Sequence, residues 1–178
     1  MENYKHYIRG LGDTQVADPV DATTMPDDSA METIGEVKEG GIAITPGSTT
    51  KEYLKKEGPN GLEIVDVIVT KENDVAKGKL IVRDLDRFAK STGGSVTITG
   101  AGADKKARYK GPNGVNTFSK ALRFITTTKV GDSFVTRDYP MTKMTVLDDF
   151  VLSAKNWWEA SVEFELISAG ETVYPQPE

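Results

Sequence analysis

The chain has 178 residues, with 22 lysines and arginines against 27 aspartates and glutamates, a net charge of −5. That balance argues against broad binding to a phosphate backbone, which takes a basic face. The absence of cysteine excludes disulfides and thiolate metal sites, and no apolar run approaches the ~20 residues that span a bilayer.

The opening stretch, MENYKHYIRGLGD, lacks the apolar core of a signal peptide, so a soluble protein without a membrane anchor, made in the cytoplasm, is expected. Residues 1–30 carry Asp13, Asp18, Asp21, Asp27 and Asp28 with Pro19 and Pro26 and show no sustained periodicity. They read as an extended arm, with Tyr4, Tyr7, Ile8 and Leu11 near its start as docking residues for a neighbour.

Residues 34–70 read as a nucleus of three strands. Ile42 and Ile44 alternate with smaller residues, Pro46-Gly47 marks a turn, and 49–56 is an exposed strand anchored by Tyr53 and Leu54. Gly58-Pro59-Asn60-Gly61 sets a tight turn, since Pro59 presets φ and Asn60 and Gly61 tolerate left-handed geometry. Residues 62–70, LEIVDVIVT, have apolar side chains on both faces: Leu62, Ile64 and Ile68 on one, Val65, Val67 and Val69 on the other. Such a strand is buried on both sides or changes sheet at a bulge.

A polar loop over 71–77 leads to a short strand over 78–82. Asp84 caps a helix over 84–92, with Leu85, Phe88 and Ala89 as its apolar stripe and Gly93-Gly94 as its stop. Residues 95–99 alternate again. Residues 100–110 are a glycine-rich, charged loop or hairpin arm, in which Lys105, Lys106, Arg108 and Lys110 flank Tyr109. GPNG recurs at 111–114, but four residues of good turn chemistry do not establish a duplication.

Strands follow at 118–128, 134–137 and 141–147, and 148–156 is left open between a helical turn and an irregular link. Residues 157–167, WWEASVEFELI, give the cleanest alternation. Trp158, Ala160, Val162, Phe164 and Leu166 form a core face; Trp157, Glu159, Ser161, Glu163 and Glu165 form the other. Glu159, Glu163 and Glu165 are the candidate acidic face, toward water or a channel, and Trp157 is a candidate interface anchor. The last residues, 171–178, are an extended tail. The expected fold is mainly β: an antiparallel sandwich or barrel over 31–170, one flanking helix, and extended terminal arms.

Chemistry is sparse. His6 is the single histidine, so hydrolase triads are improbable. The Gly131-Asp132-Ser133 run reads as a turn, and ITGAGADKK lacks the spacing of either phosphate loop. No catalytic, metal or cofactor residue is expected, and the chain reads as a non-enzyme.

The run Ile34-Gly35-Glu36-Val37, then Gly40-Gly41-Ile42-Ala43-Ile44, the charged Thr49-Thr50-Lys51-Glu52-Tyr53, and Gly61-Leu62-Glu63-Ile64-Val65-Asp66-Val67-Ile68-Val69 resembles the core of phage major tail tube proteins. Lys79-Leu80-Ile81-Val82, Asp84-Leu85-Asp86-Arg87-Phe88, Gly93-Gly94 and the closing Val162–Leu166 strand extend it. The run is also similar to the tubes of contractile tails and type VI secretion systems. The resemblance covers about half the chain and rests on a pattern of elements. It implies a virion protein whose homo-hexameric rings stack into a tube that conducts DNA without specific binding and meets other tail proteins. It also implies bridging between rings by the arms and by a long hairpin, which makes Tyr53, Leu54, Pro59 and Asn60 candidate inter-ring contacts beside Tyr4, Tyr7 and Ile8. The alternatives are another tail or neck structural protein and a β-sandwich carbohydrate-binding module.

Overall fold

The computed structural model describes residues 11–59, 61–101, 106–111, 117–152 and 158–174. The strands are β1 (Leu11–Ala17), β2 (Glu32–Thr45), β3 (Thr49–Gly58), β4 (Gly61–Lys71), β5 (Asp74–Val82), β6 (Ser95–Thr99), β7 (Lys106–Lys110), β8 (Thr117–Val130), β9 (Ser133–Leu152), β10 (Trp158–Leu166) and β11 (Glu171–Val173). One helix, α1 (Leu85–Ser91), lies between β5 and β6. The mainly β, antiparallel class with one flanking helix is what the chain adopts.

Seven strands form one sheet in the order β10-β5-β2-β1-β8-β9-β11, and β10 also pairs with β9. The hydrogen-bonded ladder therefore runs in a closed circuit through β10, β5, β2, β1, β8 and β9, in a barrel-like arrangement. Closure removes the free edges of these six strands, the usual route to aggregation. Inward residues alternate along each strand and meet in one core, with Ile34, Leu80, Leu122, Phe124, Met144, Val162 and Phe164 almost fully buried. Phe124 meets Phe164 and Tyr139 edge-on, at 6.0 and 6.3 Å between centroids. β10 follows its alternation: Ala160, Val162, Phe164 and Leu166 are buried, and Trp158 packs against the same core.

Helix α1 forms as its signals dictate. The Asp84 carboxylate accepts from the Arg87 N–H at 3.0 Å, an N-cap, and Gly93 takes φ +63°, where a side chain would strain. Phe88 is buried in the core and meets Tyr109 of β7 at 5.8 Å, while the Tyr109 hydroxyl lies 2.9 Å from Thr92 Oγ1. The basic hairpin β6–β7 is thus fixed to the helix through Tyr109, with Arg108 and Lys110 exposed.

Three expectations are corrected. Residues 11–17 are not part of an extended arm: β1 sits between β2 and β8 with Thr14 and Val16 buried. The loop that follows is clamped as well. Lys120 pairs with Asp18 at 2.7 Å, and Arg123 reaches Asp28 at 2.6 Å while gripping buried Asp138 with two bonds of 3.0 and 2.9 Å. These carboxylates hold the Arg123 guanidinium even further above its ordinary pKa. The two strands expected at 134–137 and 141–147 are one, β9, which also takes in 148–152 of the segment left open. Pro140 interrupts the sequence pattern but not the strand. It falls at a register shift against β8, where β9 exchanges one neighbour, β11, for the other, β10. At the C-terminal side, Glu171–Val173 is not a free tail but a strand on β9.

Thr14 Oγ1 is buried and, among the described residues, has no hydrogen-bond partner. Replacing this hydroxyl by a methyl removes an uncompensated desolvation cost of about 1 kcal/mol or more. Thr14→Val is therefore expected to raise the melting temperature by about 2–4 °C, the shift that 1 kcal/mol gives a domain of this size, as read by circular dichroism.

Candidate assembly surface

Strands β3 and β4 form a two-stranded sheet of their own, outside the closed circuit. Two-stranded hairpins are marginal in water unless something packs on them. Here Tyr53, Leu54, Leu62, Ile64, Val65, Val67, Ile68 and Val69 are all 40–67% exposed. Of the two expectations for 62–70, burial on both sides is overturned, because among the described residues β4 has β3 as its one strand partner; a bulge is present, as the other expectation had it, but β4 does not change sheet there. Exposed apolar surface of this extent marks an interaction site.

Register decides which residues share a face, since directly opposed residues project together. Tyr53 is opposite Val67 and Lys51 opposite Val69, while Leu54 is opposite Asp66 and Glu52 opposite Ile68. Between Leu54 and Lys55 the register shifts: Lys55 faces Ile64 and Glu57 faces Leu62, leaving Val65 without a counterpart. Val65 is thus a one-residue bulge. It resorts the faces expected from simple alternation, moving Leu62 and Ile64 beside Val67, Val69 and Tyr53. One face is apolar along β4 and lined by Lys51, Lys55 and Glu57 along β3. The opposite face carries Leu54 and Ile68 among Glu52, Lys56 and Asp66. Burying the half-exposed Tyr53, Leu62, Ile64, Val67 and Val69 is worth about 5 kcal/mol gross.

The neck of the hairpin is braced. The Gly47 N–H donates to Asp74 Oδ1 at 3.0 Å, the Glu72 N–H donates to the Ser48 carbonyl at 2.9 Å, and the Ser48 hydroxyl bonds the Glu72 carboxylate. Lys71 pairs with Asp74 at 3.3 Å. A Cβ at residue 47 would lie 2.0 Å from the Glu72 carbonyl oxygen, so glycine is required for this close approach. The Gly47 N–H, with help from Lys71, holds the Asp74 carboxyl below its usual 3.8. A cleft of about 340 Å³ opens beside the neck, lined by Ile44, Lys71, Asp74, Arg137, Tyr139 and Gly170 among others. In it the Arg137 guanidinium donates to Thr172 Oγ1 at 2.6 Å and stacks over Tyr139.

The candidate residues fall into three groups. Tyr4, Tyr7, Ile8, Asn60 and Trp157 lie outside the described residues. Tyr53, Leu54 and Pro59 are exposed on the hairpin, Tyr53 and Leu54 on opposite faces. The third group, the acidic face, is corrected: it is not an open stripe. Glu159 is only 7% exposed and pairs with Lys38 at 2.8 Å. Glu163 pairs with Lys77 at 2.7 Å; Glu165 lies 3.8 Å from Lys143 and accepts from Asn73 at 2.8 Å. Each carboxylate has a lysine within reach, on the adjoining β5 and β9 for Glu163 and Glu165 and on β2, one strand further, for Glu159, so the field of the stripe is largely cancelled. Reversing these charges would set lysine against lysine and act on the subunit's own fold before any lumen.

Sequence reasoning missed Leu62, Ile64, Val67 and Val69 as surface residues. The usable signal was the mismatch across the turn: β3, TTKEYLKKEG, is too polar to belong beside a strand buried on both sides. Among the described residues, no three His, Cys, Asp or Glu side chains converge as a metal site. No protein-family model matches the chain, and no curated protein matches it in sequence.

The contribution of the Gly47–Asp74 contact is present above the ordinary carboxylate value and is lost as pH falls through the lowered one. The Gly47 amide resonance is expected to titrate with a midpoint below 3.8 and to stop doing so in Asp74→Asn. A midpoint at or above the ordinary value would contradict the brace.

Proposed function

We propose that this protein is a structural subunit that assembles with copies of itself through the β3–β4 hairpin, in the manner of a tail tube ring subunit whose stacked rings conduct DNA. The observation that carries the reading is the hairpin: eight large apolar residues exposed on a sheet that lies outside a closed, self-sufficient circuit of strands. A surface of this kind persists in a folded chain when a partner covers it. The resemblance of residues 34–100 and 140–167 to tail tube proteins supports the tubular form of the assembly. The charge-matched wall of Lys38, Lys77 and Lys143 against Glu159, Glu163 and Glu165 makes the hairpin, rather than the β10 stripe, the working surface. The arrangement needs no bond chemistry; it works by geometry and burial.

Negative-stain images of the purified protein are expected to show rings or tubes. Replacing residues 50–70 by a short turn keeps the Gly47, Ser48, Glu72 and Asp74 neck and removes the apolar faces. That variant is expected to melt at an unchanged temperature and to sediment as a monomer. A wild-type chain that stays monomeric at high concentration, or a hairpin-less chain that still forms rings, would overturn the proposal.

A further inference from the structure

We infer that the hairpin is a two-sided connector: the apolar, cationic face of one copy seats on the acidic face of the hairpin of a second copy, and the Val65 bulge is what makes the faces unlike. This rests on the reading that copies of the chain assemble through the hairpin.

The faces follow from register. One bears Lys51, Lys55 and Glu57 beside the Leu62, Ile64, Val67 and Val69 row; the other bears Glu52, Asp66 and Lys56 around Leu54 and Ile68. Among the described side chains, the first carries two cations and one anion, the second two anions and one cation. All six charged residues are exposed, and among the described residues none has an ion-pair partner. Like faces in contact would crowd Lys51 and Lys55 against their own copies, or Glu52 and Asp66 against theirs. Unlike faces match charge and still bring apolar side chains together, with Leu54 and Ile68 receiving the larger apolar row. Such a contact is heterologous: each copy offers a different surface from the one it accepts, so the contact propagates into a ring or filament instead of closing a dimer. If Val65 were paired instead of bulged, simple alternation would return Leu62 and Ile64 to the Leu54 and Ile68 side, and both faces would be mixed.

The test uses two charge-reversed full-length chains, Lys51→Glu/Lys55→Glu and Glu52→Lys/Asp66→Lys, alone and mixed in equal amounts, followed by sedimentation velocity and negative stain. Each alone is expected to need about tenfold or more higher concentration to assemble than the wild type, because like charges then meet across the contact. The mixture is expected to recover wild-type assembly, with the two chains alternating. A third chain with one residue inserted between Leu54 and Lys55, which gives Val65 a counterpart and removes the bulge, is expected to fold normally and fail to assemble. Assembly of Glu52→Lys/Asp66→Lys alone at the wild-type concentration, or a mixture no better than its parts, overturns the inference. So does normal assembly of the chain with the residue inserted opposite Val65. Assembly of every variant, the hairpin-less chain included, would instead remove the underlying reading.

Discussion

Closure of the strand circuit is the constraint on which the rest depends. β10 pairs along its whole length with β5 on one side and β9 on the other, and this double pairing turns an open sheet into a ring of strands around one core. Once β10 is in place, the apolar faces of six strands and the Phe88 face of α1 are satisfied within the chain. Nothing in that core calls for the hairpin. β3 and β4 extend the β2–β5 pair beyond its last partners, Thr45 and Val75, and leave the body through a braced neck. The division is physical: one part of the chain buries its own apolar surface, and the other presents it.

Charge is distributed by the same division. On the wall formed by β2, β5, β9 and β10, acids and lysines meet one to one, so that surface is solvated and nearly neutral in its field. Arg123 binds Asp138 and Asp28 together and holds the loop before β2 against β8 and β9. Beyond the neck, where Lys71 pairs with Asp74, the charges of the hairpin are sorted by face and, among the described residues, have no ion-pair partner. The exposed pairs of the first kind, Lys77–Glu163 and Lys143–Glu165, contribute little to stability. Unpaired charges beside exposed apolar rows instead govern orientation and choice of partner.

Much of this architecture was legible in the sequence. Period-2 alternation found the core face of β10, and cap chemistry placed α1 to within a residue. Turn chemistry placed the hairpin between Pro46-Gly47 and Lys71. The failures each have a cause. β1 was hidden because its inward positions include Thr14, a polar residue, so the apolar rhythm is broken. β9 was divided because proline is a strand breaker except at a bulge, and register against β8 is a tertiary property. The faces of β4 were misassigned because one unpaired residue, Val65, changes the parity of everything beyond it, and a bulge is fixed by the opposite strand. The acidity of the β10 stripe was read correctly from Glu159, Glu163 and Glu165, but the lysines that neutralise it lie far away in sequence.

The order of pairing along the chain carries a kinetic consequence. The hairpin joins neighbours in sequence, from Gly58 opposite Gly61 outward to Thr49 opposite Lys71, and hairpins of this kind form in about 1–10 μs. β1 finds its second neighbour only when β8 arrives, with Leu11 opposite Thr126, a long-range closure that slows folding. The adhesive element is therefore complete while the body is still an open sheet with bare edges. In a crowded nascent pool, the exposed apolar faces of the hairpin would be the first surfaces to meet, so the yield of correctly folded chains depends on how quickly β8, β9 and β10 complete the ring.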